Sequence, residues 1–159
     1  MAKSAMNKAS EHEDYYQELG GNGKSKIFDT MKDVFMFAAA VGYKYNKQIS
    51  VMKRGGEPIA LRHFSDDDKK MIDLLALSVT NDISILFSED EFVDKKYEIV
   101  ESLANGGMGI MIDAFCKPVI DEAELFKFVE SFEDGSRRIQ KVDIASMLRG
   151  AMDSLNNHS

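Results

Sequence analysis

The stretch of residues 29–42, DTMKDVFMFAAAVG, constrains the fold of this chain more than any other. Its apolar residues recur at spacings of three and four, which places them on one side of a helix: Met31, Val34, Phe35, Ala38 and Val41. Asp29 is suited to cap the start of such a helix, and Gly42 is suited to end it. Three consecutive alanines leave room for another helix to approach closely. We therefore predict that this helix is buried at the centre of the fold.

The size and composition of the chain predict one folded domain. The chain has 159 residues, of which 44% are hydrophobic, and this is enough to bury a single substantial core. No apolar run approaches the roughly 20 residues that span a bilayer. The start of the sequence, MAKSAMNKASEHEDYY, lacks the apolar block of a secretory signal. We expect a cytoplasmic protein that does not enter a membrane.

Cysteine and histidine usage gives no indication of a metal or a cofactor. The single cysteine, Cys116, has no second thiol with which to form a disulfide or a zinc cluster. The histidines His12, His63 and His158 lie far apart, and none of them belongs to a metal-binding motif. We therefore expect no metal site and no cofactor.

Charge is distributed unevenly along the chain, whose formal net charge is −7. Residues 43–64 carry 5 Lys and Arg against 1 acidic residue, whereas residues 65–134 carry 6 against 18. This asymmetry favours a surface with one positive side and one negative side. The negative total argues against a protein that coats nucleic acid, although the basic segment is a candidate for contact with phosphates.

Residues 1–24 are predominantly polar, so we expect a flexible lead-in with a short helix over residues 10–19. The stretch LGGNGKS, at residues 19–25, resembles a phosphate-binding loop in its last three residues. The motif G-x-x-x-x-G-K-[ST] needs a glycine where this chain has Glu18, whose carboxylate would repel a phosphate. The stretch is therefore predicted to be a glycine linker.

The basic segment at residues 43–64 predicts a small β-hairpin laid against helices. Residues 49–52 and 59–61 have the composition of short strands, and residues 54–57 supply a turn between them. Basic and aromatic side chains interleave in this segment in a pattern typical of contact with phosphates: Lys44, Lys47, Lys53, Arg54, Arg62, Tyr43 and Tyr45. We take them as candidates for binding DNA or phosphate, the alternative being a solvated basic surface.

Further helices are expected along the rest of the chain. Ser65 is suited to cap a helix over residues 67–79, and the three aspartates that follow it favour the positive end of the helix dipole rather than a metal site. A short helix is predicted at residues 83–87. A longer helix is expected to end at Asn105-Gly106-Gly107, with a separate apolar helix at residues 108–115.

Two amphipathic helices are predicted beyond Pro118, at residues 121–132 and 139–155. They exceed what one core must bury, so we expect them to form a surface for a partner. The candidate anchors of this surface are Phe126, Phe132 and Leu148. The predicted fold is a mainly α, compact multi-helix single domain with one small β-hairpin. It extends over residues 25–155 and is followed by a frayed tail at residues 156–159.

Four stretches, in this order, resemble the small accessory family of DNA phosphorothioation (dnd) system-associated proteins: FDTMKDVFMFAAAVGYKYNK, EPIALRHFS, MIDLLALSVTNDISIL and YEIVESLANGGMGIM. The resemblance covers residues 27–112, just over half the chain. It implies a bacterial genome-defence setting, in which DNA carrying sulfur in its backbone is distinguished from DNA lacking it. It implies no catalytic residues, and the part of the chain after Pro118 falls outside it.

We expect a non-enzymatic accessory or adaptor protein that acts through protein contacts in a DNA-defence complex, since the acidic block is suited to steer a basic partner. The alternative is a DNA-binding accessory protein that contacts phosphates through the basic hairpin. Nuclease chemistry is the weakest interpretation, because helix capping accounts for most of the clustered aspartates Asp66, Asp67 and Asp68. A protein partner is expected, while DNA and a second copy of the chain remain open as further partners.

Overall fold

A computed structural model describes residues 2–115 and 121–132 of the chain. Its elements run in chain order: β1 (Ala5–Met6), α1 (Glu13–Gly20), α2 (Met31–Lys44), β2 (Ile59–Ala60), α3 (Asp66–Thr80), α4 (Asp90–Phe115) and α5 (Glu122–Glu130). Single turns of 3-10 helix lie at Ser10–His12, Leu61–His63 and Ile83–Leu86. The prediction of a mainly α fold with one small antiparallel sheet is confirmed.

Helix α2 lies at the centre of the core, as its apolar pattern predicts. The side chains of Val34, Phe35 and Ala38 are fully buried. Its ends differ from the prediction by two residues. Thr30, rather than Asp29, caps the start, because its hydroxyl accepts a hydrogen bond from the backbone N–H of Asp33.

The contact between α2 and α4 is made largely by backbone. A Cβ atom added to Gly107 would collide with the carbonyl of Ala38, and one added to Gly42 would collide with the carbonyl of Leu103. Gly42 therefore lies inside α2 and does not end it; Asn46 supplies the left-handed residue beyond the helix, with a φ of 51°. The two helices approach as closely as they do because these positions carry no side chain.

Helix α4 continues through Gly106 and Gly107, so the predicted helix end at these residues is wrong. The glycines serve close packing instead, since a Cβ on Gly106 would also collide with the carbonyl of Lys47. Helix α4 has 26 residues, and yet no helix in the described part of the chain combines the length and the apolar character needed to cross a membrane.

The small sheet joins the N-terminal segment to the basic segment, so the predicted pairing of residues 49–52 with residues 59–61 is wrong. Met6 lies opposite Ile59, while Ala9 forms an isolated bridge with Arg54. Between these two pairs the N-terminal segment advances three residues, whereas the basic segment advances five. The basic segment therefore has two extra residues, which form a bulge. Gly56, with a φ of 62°, allows the chain to make this bulge.

The N-terminal residues that we predicted to be a flexible lead-in belong to the core. Met6, Tyr16 and Leu19 are almost completely buried and join the same apolar cluster as α2 and α4. The predicted short helix is present, as the 3-10 turn at Ser10–His12 followed by α1. The polar composition of the segment misled the prediction because it gives no sign that apolar residues such as Met6, Tyr16 and Leu19 are buried.

The glycine stretch after α1 wraps around Glu18. The carboxylate of Glu18 accepts hydrogen bonds from the backbone N–H of Ser25, at 2.8 Å, and from its hydroxyl, at 2.7 Å. These hydrogen bonds, led by the one from the hydroxyl, lower the pKa of Glu18. Backbone N–H and hydroxyl donors of this kind bind phosphate in a phosphate-binding loop. In this chain they bind the carboxylate of Glu18 instead.

Helix α3 begins as predicted at Ser65, whose hydroxyl accepts a hydrogen bond from the backbone N–H of Asp68. The Asp68 carboxylate accepts in return from the backbone N–H of Ser65, which completes a capping box. Lys32 in α2 lies 2.7 Å from Asp68 and 2.9 Å from Asp33, so it links the starts of α2 and α3. These two carboxylates, Asp68 first, raise the pKa of Lys32.

Replacing Gly107 with alanine should lower the melting temperature, because the new methyl group would force α2 and α4 apart at a cost of about 1–3 kcal/mol. Gly109 provides a matched control in the same helix. Nothing lies within 4 Å of a Cβ added there, so Gly109→Ala should stabilise the protein by about 0.5–1 kcal/mol through the higher helix propensity of alanine. Thermal unfolding of the two variants measures the difference. Equal melting temperatures would contradict the close contact of α2 and α4.

Replacing Asp33 with asparagine should weaken the dependence of stability on acid pH. The hydrogen bond from Lys32, followed in importance by others including that from Thr30, lowers the pKa of Asp33 below its ordinary value of 3.8. A lowered pKa stabilises the fold above the unfolded-state pKa, and this stabilisation is lost as the pH falls through the folded-state pKa. Melting temperatures of wild type and Asp33→Asn, measured from neutral pH to below pH about 4, should therefore converge in acid. Asp67→Asn removes an exposed aspartate of α3 and controls for the loss of one charge.

Candidate functional site

A loop of residues 46–56, which we call the crossing loop, leaves α2 and passes over α4. The backbone N–H of Ile49 donates a hydrogen bond to the carbonyl of Ser102 at 3.0 Å. The side-chain amide of Asn105 donates to the carbonyls of Ile49 and Ser50 at 3.0 and 3.3 Å. Asn105 is buried, so the first half of the loop is fixed by a polar group that water does not reach.

The second half of the crossing loop is fixed by the N-terminal segment. The carbonyl of Lys53 accepts a hydrogen bond from the backbone N–H of Ser10 at 2.8 Å, and Gly55 donates to the carbonyl of Lys8 at 3.0 Å. Met52 lies between the two points of attachment and is 91% exposed, while Ile49 is 41% exposed. A rigid loop thus presents two apolar side chains to solvent.

The predicted phosphate-binding residues do not form a single cluster around a hairpin. Tyr43 and Lys44 line a cleft beside the end of α3, together with residues that include Ser78 and Val79. Lys53 and Arg54 are exposed on the crossing loop, as is Lys47, and Arg62 is exposed in the 3-10 turn that follows β2. The structure therefore brings together Lys53 and Arg54 and places the aromatic candidates at the end of α2.

The cleft beside Arg54 is lined by charges of both signs. It has a volume of about 190 Å³, and Lys3, Glu98 and Glu101 are among the residues that line it. The ammonium of Lys3 lies 2.6 Å from the carboxylate of the buried Glu101, which also accepts a hydrogen bond from the backbone N–H of Asn7 at 2.6 Å. A phosphate at Arg54 would therefore meet carboxylates nearby, which weakens the cleft as a phosphate site.

Helix α5 begins at Asp121, whose carboxylate accepts a hydrogen bond from the backbone N–H of Glu124 at 2.8 Å. Its buried face is aromatic: Phe128 lies 5.2 Å from Phe115 between ring centres. On the other side of the helix, Phe126 is 67% exposed and Val129 is 39% exposed. Because these two residues are three apart on a helix, their side chains are neighbours.

The three predicted partner anchors differ in their surroundings. Phe126 is exposed, as a partner anchor should be. Phe132 instead packs within the chain, with its ring centre 5.7 Å from that of Tyr45, and the ammonium of Lys44 lies 5.2 Å from the same ring. Leu148 lies outside the described residues, and the helix predicted at residues 139–155 lies there too.

The family model of DNA sulphur modification system-associated protein 4 matches residues 6–147. The chain belongs to this family. The membership confirms the resemblance drawn from residues 27–112, and the match extends further in both directions. The expectation that the part after Pro118 falls outside the family is therefore wrong, since the match continues to residue 147. No curated protein and no solved structure matches the chain.

In this member of the family, a buried polar cluster that sequence reasoning missed fixes the N-terminal segment. Lys8 is 2% exposed, and its ammonium lies 2.8 Å from the carboxylate of Glu13 and 5.4 Å from the ring centre of Tyr16. Burial, with a smaller contribution from Glu13, raises the pKa of Tyr16. Burial lowers the pKa of the adjacent His12, against the opposing charge of Glu11. The only signal in the sequence was the spacing of Lys8, His12 and Tyr16, four residues apart, which a polar segment does not reveal as buried.

Proposed function

We propose that this chain is a non-enzymatic accessory protein that binds another protein of a DNA sulphur modification system. Membership of the family associates the chain with such a system. The observation that carries the proposal is the exposed apolar surface of α5, formed by Phe126 and Val129. A phenylalanine held by a well-packed helix resembles the anchor residues that dominate protein interfaces.

The anchoring of α5 supports this proposal. Phe128 packs between Phe115 and Phe132, with ring centres 5.2 and 4.9 Å away, so the helix is held by one face and presents the other. Full burial of a side chain such as Phe126 by a partner would contribute about 1.5–3 kcal/mol. Little of this gain would be lost to ordering, because the capping box at Asp121 already fixes the start of the helix.

The use of the buried charged groups also supports a non-enzymatic role. Lys8 and Glu101 are the buried charged side chains of the described residues, and both form ion pairs that fix the N-terminal segment. Glu101 lines the cleft beside Arg54, but its carboxylate is paired with Lys3 and with the backbone N–H of Asn7, whereas catalytic groups direct their reactive atoms at a substrate. In the described part of the chain, no three His, Cys, Asp or Glu side chains are grouped to hold a metal ion.

Replacing Phe126 with alanine should abolish capture of the partner while leaving the fold intact, because the side chain is largely exposed. The full-length chain would be used as bait in its native host, with nucleic acid digested in parallel, and captured proteins would be identified by mass spectrometry. Lys127→Ala is the matched control, since it truncates an exposed side chain on another face of the same helix. Capture of a component of the DNA sulphur modification system by wild type and Lys127→Ala, but not by Phe126→Ala, is the expected result. Equal capture by all three would remove the α5 surface from its proposed role.

Contact with DNA is the second candidate function, and the exposed cations of the crossing loop favour it. Reversing the charge of Lys53 and Arg54 to glutamate should abolish any binding of duplex DNA without changing helical content, because exposed charges contribute little to stability. Affinity measured over a series of salt concentrations tests this, since phosphate contacts make log affinity fall linearly with log salt. If wild type binds no DNA even at low salt, this candidate is lost and the protein-binding proposal is unaffected.

A further inference from the structure

Most of the large apolar side chains that the fold leaves exposed lie in two patches. Five such side chains are exposed in the described residues, of which two lie in the crossing loop and two on α5. The loop patch consists of Ile49 and Met52, and the α5 patch consists of Phe126 and Val129. Single exposed apolar residues are common, but pairs of them on rigid elements indicate sites of interaction.

The two patches carry opposite charge. Residues 46–56 contain cations and no acidic residue: Lys47, Lys53 and Arg54. The α5 helix contains three carboxylates: Glu122, Glu124 and Glu130. Lys127 is the single cation of α5. The patches are thus complementary both in apolar character and in charge, which favours their association and selects against pairing of like patches.

We propose that the crossing loop of one copy of this chain docks on the α5 patch of a second copy. In this contact the thioether of Met52 meets the ring of Phe126, a pairing that is favourable for sulfur and aromatic groups. Lys53 and Arg54 lie beside the carboxylates of α5. Both patches are fixed before association, the loop by hydrogen bonds from Asn105 and Ser10 and the helix by the packing of Phe128. Little conformational freedom is therefore lost on docking.

An acidic apolar surface fits the crossing loop better than DNA does. The most exposed side chain of the loop is the apolar Met52, which a phenylalanine ring on α5 can cover and a phosphate backbone cannot. A DNA backbone would bring many phosphates toward a protein of net charge −7, whereas an α5 helix brings three carboxylates and two apolar side chains.

The proposed contact joins two different patches, so two copies either exchange it reciprocally and close as a symmetric dimer or make it once. Made once, the contact leaves one free loop patch and one free α5 patch, and the product is a ring or an open chain of copies. The same contact covers Phe126. Self-association therefore competes with the partner of the proposed function for the α5 patch. This competition rests on the proposed function, whereas the self-association itself does not.

Sedimentation of the purified full-length chain over a wide range of concentration tests the proposal. The mass of wild type should rise with concentration to that of a dimer or of a larger assembly, and less so at high salt, since salt screens the charged part of the contact. Met52→Asp and Phe126→Asp should each weaken association about tenfold or more, because each places a charge at the centre of the contact. Circular dichroism checks that both variants are folded, as expected for exposed positions.

Mixing the two variants gives the sharpest result. Met52→Asp retains an intact α5 patch, and Phe126→Asp retains an intact loop patch, so an equimolar mixture should form a dimer and nothing larger. Phe87→Asp is the matched control, because Phe87 is the fifth exposed large apolar residue of residues 2–115 and 121–132 and lies outside both patches. This variant should associate as wild type does.

Several results would overturn the proposal. A wild type that stays monomeric would do so, as would single variants that associate like wild type or a mixture that forms no dimer. Binding of duplex DNA by a monomeric wild type, lost in Met52→Asp, would assign the crossing loop to DNA instead. Partner capture is a separate measurement: Met52→Asp should capture the partner of the proposed function at least as well as wild type, because its α5 patch is uncovered. A wild type that self-associates but captures no partner would refute the proposed function and leave the self-association proposal standing.

Discussion

The close approach of the α2 and α4 backbones is the constraint on which the rest of the structure depends. It requires glycine at positions 42 and 107, where a side chain would strike a carbonyl of the other helix, and Gly106 beside them allows the same close approach of the crossing loop. Asn105 lies in the same turn of α4 as Gly106 and Gly107. The geometry that joins the two helices therefore also places the amide that holds the crossing loop, so the surface of the protein depends on the packing of its core.

Local signals were sufficient to predict most helix starts. Ser65 and Asp121 each precede an acidic residue by three positions, and both form the capping boxes that this spacing favours. The glycines of α4 carry no such unambiguous signal, because glycine ends a helix as readily as it allows close packing. Which of the two it does depends on the neighbouring segment, here Ala38 and Gly42, and a local pattern does not contain that information.

The candidate surfaces were predicted in part. The exposure of Lys47, Lys53 and Arg54 follows from their charge, but the position of Lys53 and Arg54 depends on pairing with the distant N-terminal segment. The sequence also places Phe126, Phe128 and Phe132 on one amphipathic helix without showing which of the rings the rest of the chain covers. Aromatic packing against Phe115 and Tyr45 decides this, and it leaves Phe126 exposed.

The attachment of the N-terminal segment has a consequence for synthesis of the protein in the cell. Lys3 contacts Asp94 across 91 residues of chain, and Asn7 contacts Glu101 across 94. At bacterial and eukaryotic rates of translation, these partners emerge from the ribosome roughly 5–20 seconds after the segment that they hold. During that interval Met6, Tyr16 and Leu19 lack the part of the core that α4 supplies. The polar composition of residues 1–24, which gives the segment the character of a flexible lead-in, keeps it soluble while the rest of the protein is made.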